Sequence, residues 1–187
     1  MLNLNTVLLE SMIWSVLWIV VVIISVRVFP FTIEHDYPHD VRAVAAIPKP
    51  TQKQRILGFA FGAAGFITIF GALILFAVLE YMGQVFTFWT IFIHLFIVCM
   101  TWNVVDLVIV DWLFICTLSL KCFLLPGTEN CPGNRNFIFH FLGFLKGLAT
   151  MTVIALVFSA ISFLILKLFI SPASAQQVNQ AVQSSWF

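Results

Sequence analysis

Four apolar runs, each long enough to cross a bilayer, leave this chain few alternatives to a membrane-spanning fold. They lie at about residues 7–29, 56–79, 86–125 and 137–170. A transmembrane helix needs about 20 predominantly apolar residues at about 1.5 Å of rise each. Of the 187 residues, 61% are hydrophobic and 9% charged, against about 45–50% and about 25% in an ordinary soluble domain. One soluble core cannot conceal that much apolar surface, so lipid must cover part of it. The net charge of +1 supplies no field to attract nucleic acid. The expected fold class is all-α, an integral membrane four-helix bundle. A single domain fills 1–170, with spans at about 7–29, 56–80, 87–120 and 137–170. The Ala/Gln/Ser-rich stretch 171–187 reads as a weakly ordered tail.

The first run has none of the marks of a cleaved leader. Residues 1–12 carry Glu10 and no Lys or Arg, and the run ends at Arg27-Val28-Phe29-Pro30 without a small-residue cleavage site. It is read as an uncleaved span. The segment Ser171-Pro172-Ala173-Ser174-Ala175 resembles a processing site and is read as coincidence. Runs three and four exceed one simple crossing, yet neither holds an interior proline or turn cluster that would fold it back. Each is therefore expected to be one long helix. Their surplus falls on the same side, joined by the turn-rich stretch 126–133. Helices 3 and 4 should thus extend beyond the bilayer on the cytoplasmic side as a hairpin.

Orientation follows from the distribution of Lys and Arg. Arg42, Lys49, Lys53 and Arg55 lie between spans one and two, with Arg27 just before them. Lys121 and Arg135 lie between spans three and four, with Lys146 just after. The N-terminal segment, the turn 81–88 and the tail after Lys167 hold none. The expected location is the cell membrane, with basic loops in the cytoplasm and both termini outside. Cys122 and Cys131 then face a reducing compartment, and no Cys-x-x-Cys pair occurs, so free thiols are expected at Cys99, Cys116, Cys122 and Cys131.

Ionisable residues inside the runs are the best clue to chemistry. A charged group near hydrocarbon costs a few kcal/mol, so it faces the bundle interior and finds a partner. Asn103, Asp106 and Asp111 share one side of helix 3; at 100° per residue Asp111 falls at the far edge of their arc. On helix 4, His140 joins Gly143 and Gly147 in a stripe, with Lys146 beside it. Gly143-x-x-x-Gly147 permits close helix approach, as does the Gly58/Gly62 edge of helix 2. These faces make a homo-oligomer or a membrane partner an expectation. The first basic loop packs Glu34, His35, Asp36, His39, Asp40 and Arg42 into nine residues. The donor types suit a metal or a polar ligand. A plainer reading has Asp36 capping a short surface helix over 38–46 with Pro38 in its first turn. His94 lies at the opposite depth from His140, which argues against a two-histidine haem site. Glu10 and Glu80 read as wet ends of their spans.

No phosphate loop, nucleophile elbow or zinc-protease signature is present. The residues support a polar acid/histidine site at the cytoplasmic rim, in a small membrane enzyme or a binder of an amphiphilic ligand or metal. Asp106, Asp111, His140 and Lys146 would carry acid–base work; His35, Asp36, His39, Asp40, Arg42 and Asn103 would bind the ligand. No particular cofactor is implied. The alternative is a non-catalytic membrane subunit or assembly factor whose buried polar groups only fix helix packing.

Overall fold

A computed structural model describes residues 2–170 of the chain. The expectations for the tail 171–187, its weak order and its processing, lie outside the described residues. Four long apolar helices form the fold, and no strand occurs among the described residues. We label them α1 (Leu4–Val28), α3 (Gln52–Tyr81), α4 (Phe88–Val105, continuing as a π-helix over Asp106–Thr117) and α5 (Phe137–Ile165, continuing as a π-helix over Leu166–Ile170). A six-residue helix, α2 (His39–Val44), lies in the first connection.

Local chemistry sets the helix starts. Thr51 and Gln54 form a reciprocal capping box at α3. Thr87 accepts from the Thr90 amide at α4, and Asn136 accepts from the Phe139 amide at α5. The capping box begins α3 before its apolar run. That helix is therefore 30 residues long, as long as the 30-residue Phe88–Thr117 span. Surplus length is thus not confined to the third and fourth spans, as their apolar runs had implied.

α4 packs between α1 and α5, and α3 touches both α1 and α5 on the other side. The core centres on Trp14, Ile69, Leu73, Leu95 and Val98, all nearly inaccessible. Without a hydrophobic drive between helices in lipid, packing and interhelical hydrogen bonds must hold such a bundle. Trp14 supplies both: its indole N–H donates to the carbonyl of Ile69 at 2.8 Å. Aromatic pairs continue the contact, including Phe70 stacked on Phe158 with centroids 5.1 Å apart. The outward faces of α3 and α5 remain apolar and exposed, as lipid-facing surfaces require.

The end that carries the basic residues is capped by its two connections. After Thr117 the chain reverses through Ser119, which takes a left-handed backbone (φ 48°). Phe123, Leu124 and Leu125 then fold back into full burial. The Tyr37 hydroxyl donates to the Phe123 carbonyl at 2.6 Å, and the Ala46 amide to the Pro126 carbonyl at 2.8 Å. Gly127, at φ 80°, turns the chain closely over Ala46. The apolar surplus of run three is therefore covered by its own return and by the first connection. In the first connection α2 spans only His39–Val44, and Pro38, not Asp36, occupies the N-cap position.

Candidate functional site

A cavity of about 560 Å³ opens at the basic end of the bundle. Trp18 and Val22 of α1 form one wall. Asn103, Asp106, Leu107, Val110 and Asp111 of α4 form the second, and Phe139, His140, Gly143, Phe144 and Gly147 of α5 the third. The segment Ile33–Tyr37 covers it, and α3 contributes no lining residue. At the deep end Trp18 and Trp102 stack nearly parallel, with centroids 5.6 Å apart. The opening lies beside Gly143, where an added Cβ would meet nothing within 4 Å, and beside the exposed Lys146.

The π-winding of α4 brings its two acids together. Hydrogen bonds over Asp106–Thr117 run from i to i+5, as in Leu118 N–H to Leu113 O at 2.8 Å. Residues five apart then stack on one face. Asp106 and Asp111 are five apart, and both line the cavity. Ordinary α-helical arithmetic had set Asp111 at the edge of the arc.

Asp111 reaches across to α5, where its Oδ1 lies 3.0 Å from Nδ1 of His140. A lone pair on Nδ1 would be repelled by a carboxylate at that distance, so the neutral ring carries its proton there. Its lone pair is then on Nε2. That Nε2 is buried and has no partner among the described residues. Asn103 donates to the Phe144 carbonyl at 3.3 Å and lies over Gly147, where any side chain would collide with its amide oxygen. Asp106 makes no hydrogen bond or ion pair among the described residues, and neither does the ammonium of Lys146 with any acid.

In the covering segment His35 lies 3.3 Å from Asp36. Burial raises the Asp36 carboxyl above its ordinary range; His35 opposes this and Asp111 adds to it. The Tyr37 phenol is held well above its ordinary range, chiefly by burial and then by the carboxylates of Asp111, Asp36 and Asp106. The three acids thus share one electrostatic neighbourhood around Tyr37.

Of the residues singled out in sequence, Asn103, Asp106, Asp111, His140, Lys146, His35 and Asp36 line the cavity together. His39, Asp40 and Arg42 do not. They belong to α2, turned away from the cavity by Pro38, with His39 and Arg42 exposed. The Asp40 carboxylate packs over the backbone of Gly133. Two of the small-residue positions are occupied from within the chain: Phe31 covers Gly58, and Asn103 covers Gly147. Among the described residues no group of three or more His, Cys, Asp or Glu converges as metal ligands do. All four cysteines are free thiols.

Sequence reasoning missed three features. Trp18 and Trp102 form the cavity's deep end, and Tyr37 anchors its cover. Glu10 is not a wet helix end: it is buried and hydrogen-bonded to the fully buried His94. The signal for that pair was present, since a carboxylate inside an apolar run calls for a partner at its own depth.

Comparison with protein-family models, with curated proteins and with solved structures finds no match. The functional reading therefore rests on the site.

Proposed function

We propose that this chain is a multi-pass membrane protein whose cavity binds an amphiphilic ligand, with its basic end in the cytoplasm and both termini outside. One observation carries the reading. The carboxyl of Asp106 and Nε2 of His140, each without a partner among the described residues, line a single cavity that also holds apolar and aromatic side chains beside Asn103, Asp111, His35, Asp36 and Lys146. Its size falls within the usual range for small-molecule sites, about 300–1,000 Å³. An apolar cavity with a few polar groups at the membrane boundary suits a ligand that has a polar head and a hydrocarbon tail. Asp111 holds the His140 ring and would stabilise it on taking a proton, an arrangement suited to general acid–base work on the head group. Lys146 stands at the opening and Asp36 in the cover.

The packing-only alternative draws support from the Glu10–His94 hydrogen bond, although Nδ1 of His94, like Nε2 of His140, is buried without a partner among the described residues. It leaves Asp106 and Nε2 of His140 without explanation. The test is lipid extraction from purified protein followed by mass spectrometry. Wild type should retain an amphiphile that Gly143→Leu, which fills the opening, excludes while remaining folded. Identical lipid content in both proteins, with Gly143→Leu folded, would sink the binding site and leave packing as the role.

A further inference from the structure

We propose that the ligand of this cavity carries a cationic nitrogen head, an alkylammonium or guanidinium on an apolar tail. This rests on the binding-site reading above and specifies its substrate class. The donor and acceptor inventory of the walls carries it. Asp36, Asp106 and Asp111 contribute three carboxyl groups to the lining. Nε2 of His140 adds an acceptor lone pair, on a residue only 6% exposed, with no partner among the described residues.

Most donors are spent, except Nε1–H of Trp18, which is buried without a partner among the described residues. The Tyr37 hydroxyl is bound to Phe123, the Asn103 amide to Phe144, and Nδ1 of His140 faces Asp111. Lys146 and Asp36 are both exposed, while Asp106 and Asp111 are half-buried. His35 faces Asp36 and His140 faces Asp111, so the acceptors left over are Asp106 and Nε2 of His140, and a multi-donor cation is their complement. The stacked faces of Trp18 and Trp102 at the deep end add a surface that suits a cation or the start of an alkyl chain. A metal ion fits less well, because no trio of liganding side chains converges among the described residues.

The test titrates the purified protein, in neutral maltoside micelles, with octylamine, octanol and octanoate, reading tryptophan fluorescence and melting temperature. Octylamine should bind saturably, at least 10-fold more tightly than the other two. Asp106→Asn should weaken octylamine at least 10-fold and leave octanol unchanged. If Asp106→Asn does not fold, Asp36→Asn should weaken octylamine selectively, and Gly143→Leu should abolish saturable binding. Octanol or octanoate binding as tightly as octylamine would overturn the cationic head while leaving an amphiphile site. Reproduction of the octylamine effect by sodium or magnesium ions alone would also overturn it. If no probe binds saturably, the binding-site reading itself falls, and this inference with it.

Discussion

Glu10 of α1 and His94 of α4 are hydrogen-bonded to each other and buried, in the half of the bundle away from the cavity. Tyr81 of α3 packs edge-on against the His94 ring, centroids 5.7 Å apart. This contact joins three helices where the surrounding side chains are apolar. Removing one member of such a pair strands the other, which costs about 3–5 kcal/mol in a buried setting. Glu10→Ala and His94→Ala should each lower stability by about 3 kcal/mol in denaturant titrations of the detergent-solubilised protein. The double variant should recover part of that loss, since neither group is then stranded. Single variants within about 0.5 kcal/mol of wild type would show that the pair holds nothing together.

The Asn103–Gly147 contact predicts a directional double-mutant result. Gly147→Ala places a methyl group against the Asn103 amide and should cost about 1–3 kcal/mol by overpacking. Asn103→Ala removes the obstacle. In that background Gly147→Ala should cost much less, a coupling that denaturant titration of the four proteins measures. Additive effects would mean that the two positions do not meet.

Tyr37 ties the cavity cover to the return of the α4–α5 connection. Tyr37→Phe leaves the Phe123 carbonyl without its donor and should cost about 1–3 kcal/mol. Hydrogen exchange should accelerate over residues 121–125 and 33–37 and stay unchanged in the outer halves of the helices. Unaltered protection in both stretches would show that the hydroxyl does not fasten them.

Asp36 gives a pH dependence of unusual sign. Its carboxyl is raised in the folded protein, so the native state binds that proton more tightly than the unfolded chain does. Ionising Asp36 therefore costs stability: its contribution is most favourable below the ordinary aspartate range and declines as pH rises through the raised value. The wild-type melting temperature, less that of Asp36→Asn, should fall as pH rises through the mildly acidic range. Asp106, Asp111, His35, His140 and Lys146 are common to both proteins and largely cancel in that difference. A difference that rises with pH would contradict the raised carboxyl.

The orientation is checked by single-cysteine labelling. With Cys99, Cys116, Cys122 and Cys131 replaced by serine or alanine, Lys53→Cys and Gln84→Cys place exposed thiols at opposite ends of α3. In intact cells an impermeant reagent should label Gln84→Cys and spare Lys53→Cys. Labelling of Lys53→Cys alone would invert the topology.

Span number was legible in the sequence because hydropathy is a local, additive property. About 20 apolar residues make a crossing wherever they sit in the fold. Capping was not read correctly: the Thr51–Gln54 box of α3 went unnoticed, and the cap expected at Asp36 falls to Pro38. Asp106, Asp111 and His140 could be named because a polar group in an apolar run stands out without knowledge of its neighbours. Their meeting was a tertiary matter. The common face of Asp106 and Asp111 depends on the π-winding over Asp106–Thr117, which changes the angular step between residues and leaves no plain mark in composition. The exclusion of His39, Asp40 and Arg42 depends on where α2 lands after Pro38. The pairing of Glu10 with His94, and of Tyr37 with Phe123, spans more than 80 residues of chain in each case, |i−j| of 84 and 86. Such contacts are set by which helices are neighbours and at what register. Hydropathy alone dictated four apolar helices and a short roster of polar residues that lipid would not tolerate alone. Only the packing of α1, α4 and α5 decided which of them satisfy one another and which, like Asp106 and Nε2 of His140, line the cavity without a partner among the described residues.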